Sequence, residues 1–201
     1  NCKYQFNWFV VTMQFEYKRD VNWKKDLEIG SKQESKFEVF MKSFGYVCED
    51  LSDVKEYQDI DCDFKVTNTK GVTNLFEVKQ DKTLAKFGYD RRRLCIEDIS
   101  SIKDRYGNVI NTDGWYRKCK SDYIVIGNND SKMYMYKLAD VREYIGLFAG
   151  DKDKVIYYQL GNSMMFGLYQ KKFDEWLIDN NKVCKIFYLD SNKCVKRKDV
   201  I

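Results

Sequence analysis

Residues 58–66 read Gln58-Asp59-Ile60-Asp61-Cys62-Asp63-Phe64-Lys65-Val66, and after Asn68-Thr69-Lys70-Gly71 the chain continues with Leu75-Phe76-Glu77-Val78-Lys79. In the first segment acidic residues alternate with Ile60, Cys62, Phe64 and Val66, the period-two pattern of a strand with one buried face. Asn68 to Gly71 has the composition of a turn. The second segment places Leu75, Glu77 and Lys79 on one side and Phe76 and Val78 on the other. Paired as a hairpin, the two strands bring Asp61 or Asp63 toward Glu77 and Lys79. Carboxylates converging beside an ammonium make a site for a hard divalent cation with a cationic helper. Asp61 is the preferred ligand; Asp59 and Asp63 share its parity and stand as the alternatives.

Composition limits what that site can be. A chain of 201 residues is long enough for one domain with a real core. Its 44% hydrophobic and 33% charged residues are those of a soluble globular protein. Aromatic residues, at 16%, take over much of the core filling usually left to Leu and Ala. The net charge of +4 is the difference between 35 basic and 31 acidic residues, so a nucleic-acid partner would have to meet a local basic face. Histidine is absent, which removes Ser-His-Asp and Cys-His nucleophiles, His-based zinc sites and every His general base. Catalysis must therefore run on carboxylates, Lys, Tyr or Cys. The 7 cysteines form no close pair resembling a metal knuckle and read as reduced thiols of a cytoplasmic protein. The longest apolar run near the N-terminus, Trp8-Phe9-Val10-Val11, is too short for a signal peptide or a membrane span.

Working outward, Phe6 to Val11 has strand character, and Gly30-Ser31-Lys32-Gln33-Glu34 opens the first clear helix. Ser31 as N-cap with Glu34 three residues on forms a capping box. Phe37, Phe40, Met41 and Phe44 follow at helical spacing, and Gly45 stops the helix. Downstream of Lys79, a basic loop carries Lys82, Lys86, Arg91, Arg92 and Arg93, and Leu94 to Glu97 reads as a strand. Residues 100–121 form a long polar connection, a length that is usually functional or partly ordered. Strands at 123–126 and 133–136, a helix at 138–148, strands near 155–158 and 166–169, a helix at 173–178 and a strand at 183–189 complete the pattern. The basic residues Lys193 to Lys198 read as a frayed tail. The expected architecture is one α/β domain over 1–201, a central mixed sheet of about five strands flanked by helices. Its core covers about 30–145, with additional C-terminal elements over 146–201.

A helix carrying Glu34, a strand carrying Asp61, the run Glu77-Val78-Lys79 and a further strand carrying Glu97 together resemble the PD-(D/E)XK nuclease superfamily. That group contains restriction endonucleases, Holliday-junction resolvases and phage exonucleases. Ile60-Asp61 matches the first part of the motif, with Ile60 where the nominal proline stands, and Glu77-Val78-Lys79 matches the second. Glu34 matches the upstream helix acid, with Glu38 as its substitute one turn on. The stretch 94–126, with Glu97, Gly114-Trp115 and Asp122-Tyr123, also looks like phage-borne members.

The resemblance implies a restriction-endonuclease-like core and a Mg²⁺- or Mn²⁺-dependent nuclease, acting on DNA by metal-activated water. An RNA endonuclease and a non-catalytic nucleic-acid-binding module of the same fold are the alternatives. It implies Asp61, Glu77, Lys79 and Glu34 as the catalytic set, with Asp61 and Glu77 holding the metal. Lys82, Arg91, Arg92 and Arg93 would contact phosphate. The partner is then nucleic acid and not a membrane, a homodimer stays open, and the compartment is cytoplasmic (a host's cytoplasm for a phage protein). Plainer explanations stand beside these. The capping box accounts for Glu34, a solvated turn for the arginine run, a surface carboxylate for Glu97, and anchoring of the loop to the core, rather than stacking on a base, for Trp115 and Tyr116.

Overall fold

Ile124, Val125 and Ile126 lie at the centre of the molecule, each almost wholly buried. A strand apolar on both faces must be covered on both. The computed structural model describes residues 23–81, 87–103, 106–127, 131–191 and 193–196. The elements begin with α1 (Trp23–Ser43), β1 (Val47–Asp50), α2 (Lys55–Gln58), β2 (Phe64–Thr67) and β3 (Thr73–Gln80). Then come β4 (Arg93–Lys103), β5 (Val109–Asp113), α3 (Trp115–Lys118), β6 (Tyr123–Gly127), β7 (Lys132–Lys137) and α4 (Leu138–Phe148). The chain closes with β8 (Val155–Leu160), β9 (Ser163–Tyr169), α5 (Gln170–Asp179), β10 (Cys184–Tyr188) and β11 (Lys193–Lys196).

Seven strands form one mixed sheet in the order β1-β2-β3-β6-β7-β10-β11, and four more form an antiparallel sheet in the order β5-β4-β9-β8. Within the large sheet β3 and β6 run parallel, with Glu77 beside Ile124 and Lys79 beside Ile126. Parallel neighbours need a long crossover, and the segment between Gln80 and Tyr123 supplies it by building β4, β5 and α3 on the way. One face of the large sheet packs Phe64, Phe76, Val78, Val125 and Phe187 against Phe37, Phe40 and Met41 of α1. The other face packs Ile124, Ile126, Tyr136 and Ile186 against α4, α5 and the inner side of the small sheet. Alternation along β3 thus gives Phe76 and Val78 to the α1 side and turns Glu77 and Lys79 to the other.

The mixed sheet flanked by helices is present, and it is wider than five strands because β1 and β11 extend its edges. Three local expectations are corrected. First, α1 begins at Trp23 and runs through Gly30, so Ser31 is interior and there is no capping box at Glu34; the Ser31 carbonyl accepts from Ser35 Oγ at 2.9 Å. Second, the strand expected from Gln58 begins at Phe64, and Lys55 to Gln58 is a helical turn. Third, Lys193 to Lys196 form a strand that pairs with β10. The polar connection 100–121 carries order, as one of its two expected readings had it: the end of β4 pairs with β5, and α3 follows. Lys82, Lys86 and the strand suggested at Phe6 to Val11 lie outside the described residues.

Candidate active site

After α2 the chain bends sharply into β2. Asp61 takes φ of 45°, a left-handed conformation that Asp tolerates better than most residues. The bend is fixed from the far side of the crossover. Asp61's carbonyl accepts from Cys119 Sγ at 3.1 Å and from Ser121 Oγ at 3.4 Å. Ile60's carbonyl accepts from the Lys120 amide at 3.0 Å. With a turn at Asp61, parity along a strand no longer relates Asp59, Asp61 and Asp63. Asp59 is exposed and bonded to Lys55 one helical turn back. Asp61 Oδ2 lies 2.9 Å from Lys118 Nζ. Asp63 sits deeper, where its Oδ2 accepts from the Val78 amide at 2.8 Å and its own amide donates to Phe76 at 3.0 Å.

Glu77 is 1% exposed and forms an ion pair with Lys79, which is 36% exposed. Both Glu77 carboxylate oxygens and Oδ2 of Asp61 are buried without a hydrogen bond of ordinary geometry. Such acceptors are costly to bury unless a cation faces them. Burial pushes the Glu77 carboxyl up to about 8; Lys79 opposes the shift, and the neighbouring charges of Asp63 and Asp61 add to it. Asp63 is also raised by burial, against the pull of Lys79 and its bond from Val78. Glu34 reaches the same space from α1, raised by burial and then by the charge of Asp63. Burial works against the Lys79 ammonium, but Glu77 and Asp63 outweigh it and hold Lys79 above its ordinary pKa.

Four carboxylates, Glu34, Asp61, Asp63 and Glu77, therefore face two ammonium groups, Lys79 and Lys118. Among the described residues no group of three or more acidic or thiol side chains is placed so that it could hold a metal ion. The residues open onto a cleft of about 520 Å³, lined by Glu34, Asp61, Lys79, Glu97, Trp115 and Lys118 among others. It lies at the carboxyl ends of β3 and β6, where the chain leaves the large sheet for the small one.

The other expected residues are distributed as follows. Glu38 pairs with Lys42 on the helix surface. Glu97 lines the cleft but is hydrogen-bonded to Ser163. Arg91 is exposed. Arg92 donates to Tyr134 Oη at 2.9 Å, and Arg93 donates to Tyr169 Oη at 2.8 Å, so both have structural work. Trp115 is 7% exposed, in agreement with loop anchoring.

Sequence reading missed Lys118 altogether. Its turn, α3, is clamped on both sides. Arg117 makes a bidentate pair with the buried Asp98 at 2.6 and 2.8 Å, and Tyr157 Oη donates to the same carboxylate at 2.8 Å. Arg142 donates to the carbonyls of Tyr116 and Cys119 at 2.9 and 2.6 Å. No short-range pattern announces this arrangement; the length of the polar connection was the one available signal. Gly114 seats α3 directly on β4, where an added Cβ would stand 2.6 Å from the Glu97 carbonyl oxygen and 2.8 Å from the Asp98 carbonyl carbon. Backbone cannot yield as a side chain can. Gly114→Ala is expected to cost roughly 2–4 kcal/mol, read as a lower midpoint in chemical denaturation. A midpoint equal to wild type would show that α3 is not packed as described.

No family model matches the chain, and no curated protein matches it. Among solved structures it is similar to a bacterial homing endonuclease, at 14% identity and a TM-score of 0.40, over 57% of this chain and 70% of that one.

Proposed function

We propose that this protein is a metal-dependent nuclease of the PD-(D/E)XK kind, hydrolysing a phosphodiester bond of DNA. The observation that carries the reading is the buried Glu77, ion-paired with Lys79 on β3 and neighboured by Asp61 and Asp63 just before β2. A stable fold does not need this arrangement, since a buried carboxylate surplus destabilises the metal-free chain. Asp61 and Glu77 would hold the cation, Asp61 from the cleft wall and Glu77 from beneath. A bound Mg²⁺ or Mn²⁺ would supply neutralisation of the scissile phosphate and a lowered pKa for the attacking water. Asp63, fixed by the Val78 amide, keeps Glu77 in place and shares its proton when no cation is bound. Lys79, held above its ordinary pKa, serves as a hydrogen-bond donor that orients the water and offsets charge on the phosphate, and not as a base. Glu34 can take the proton the water gives up. Arg91, exposed at the edge of the basic turn, is available for phosphate contact, whereas Arg92 and Arg93 act first as anchors.

Incubation with supercoiled plasmid, linear duplex, branched DNA, single-stranded DNA and RNA, each with and without Mg²⁺, tests the proposal. Cleavage of at least one DNA substrate in Mg²⁺ and none in EDTA is expected. Cleavage of RNA alone would move the reading to an RNA endonuclease. No cleavage of any substrate, in Mg²⁺ or Mn²⁺, would leave a binding module.

A further inference from the structure

We propose that Lys118 holds the cation's place at Asp61 in the metal-free protein, and that on cation binding it is released into the cleft as a contact for the substrate phosphate. The inference rests on the nuclease reading above and adds to it a residue and a handover.

Three observations carry it. The Lys118 ammonium lies 2.9 Å from Asp61 Oδ2, yet that oxygen is buried and accepts no hydrogen bond of ordinary geometry, so the contact is ionic alone. The backbone of α3 is fixed by Asp98, Arg117 and Arg142, while the Lys118 side chain itself is 42% exposed. The cap can therefore leave without disturbing its support. Lys118 also lines the same cleft as Lys79 and Glu34. A flexible four-carbon stem on a rigid turn can swing from Asp61 to a phosphate in that cleft without a backbone change. An ammonium and a divalent cation drawn to one carboxylate oxygen repel each other at contact distance, so the two compete.

Competition gives a sign that a structural role would not. Removing a residue that merely supports Asp61 weakens cation binding, whereas removing a competitor tightens it. Calorimetric titration of Mn²⁺ into wild type, Lys118→Met, Lys118→Gln and Lys118→Arg reads that sign without any dependence on activity. Lys118→Met and Lys118→Gln are expected to bind Mn²⁺ about fivefold more tightly, the worth of one partly exposed ion pair, with Lys118→Arg near wild type. Equal or weaker binding in both neutral variants overturns the inference while leaving the nuclease reading in place. Absence of binding in wild type and all variants overturns both. The second readout is duplex affinity against salt, in Mn²⁺ and in a Lys79→Ala background. Adding Lys118→Met there should lower the slope of log affinity against log salt by about 0.9, one phosphate contact. An unchanged slope removes the handover.

Discussion

Lys79→Ala is expected to abolish cleavage, with a loss of about a thousandfold or more, while Mn²⁺ still binds. Removing a positioned donor beside a reacting group costs about 10²–10⁴ in rate, and Lys79 sits two residues from Glu77 on the same side of β3. It carries no metal-ligand role, so cation affinity should persist or rise as a positive charge leaves the site. The fold should tolerate the change, because the Lys79 side chain is 36% exposed and its removal relieves the burial of an ammonium. Single-turnover cleavage rates with saturating Mg²⁺ measure the effect. Wild-type rates would make Lys79 a solvated residue of an ordinary strand.

The second large effect is on stability and its dependence on pH. In the folded protein Glu77 keeps its proton up to about 8, because burial and the neighbouring Asp63 outweigh Lys79. Unfolded, it releases that proton near its ordinary 4.5. Between those values the folded state binds more protons than the unfolded one, so stability falls as pH rises through this window. The metal-free protein should therefore melt at a lower temperature at pH 8 than at pH 5.5, as far as this group is concerned. Glu77→Gln removes the titration while keeping the shape. It should raise the metal-free melting temperature at pH 8 by several degrees, worth roughly 1–3 kcal/mol, flatten the pH profile and eliminate cleavage. Divalent cation should raise the wild-type melting temperature at pH 8 and leave Glu77→Gln unmoved. A Glu77→Gln protein less stable than wild type at pH 8 would mean that Glu77 is a structural ion-pair partner.

How much of this was legible in the sequence depends on how local each feature is. The alternation Phe76, Glu77, Val78, Lys79 was enough to place two side chains in the α1 core and two opposite, because β3 is a strand from end to end. The runs at 123–126 and 133–136 and the helix at 138–148 were readable for the same reason. The turn at Asp61 was not. Cys62 and Phe64 are both buried, so the period-two pattern persists across a segment whose backbone reverses at Asp61. What holds that reversal, Cys119 and Ser121, lies nearly sixty residues away in sequence. The capping box failed because α1 runs through Gly30, which a helix accepts at about 1 kcal/mol. Glu34 consequently loses its capping explanation and is left facing Asp63 and Lys79. Three strands of the small sheet were readable, but their assembly into a second sheet and the place of Lys118 beside Asp61 were not, because both are tertiary facts with no short-range signature.

The central claim is that Asp61, at the bend before β2, and Glu77 on β3 hold a divalent cation beside Lys79, and calorimetric titration of Mn²⁺ into wild type, Asp61→Asn, Asp63→Asn and Asp59→Asn addresses it most directly. An amide keeps the shape of the carboxylate but loses the charge that attracts a hard cation. Asp59 is exposed and bonded to Lys55, so Asp59→Asn should match wild type. Asp63 is occupied with the Val78 amide, a bond the Asn oxygen can still accept, so Asp63→Asn should lose a few-fold at most. Asp61→Asn should lose Mn²⁺ affinity by tenfold or more, roughly 1.4 kcal/mol. Wild-type affinity in Asp61→Asn, or no Mn²⁺ binding to the wild-type protein at all, would contradict the claim.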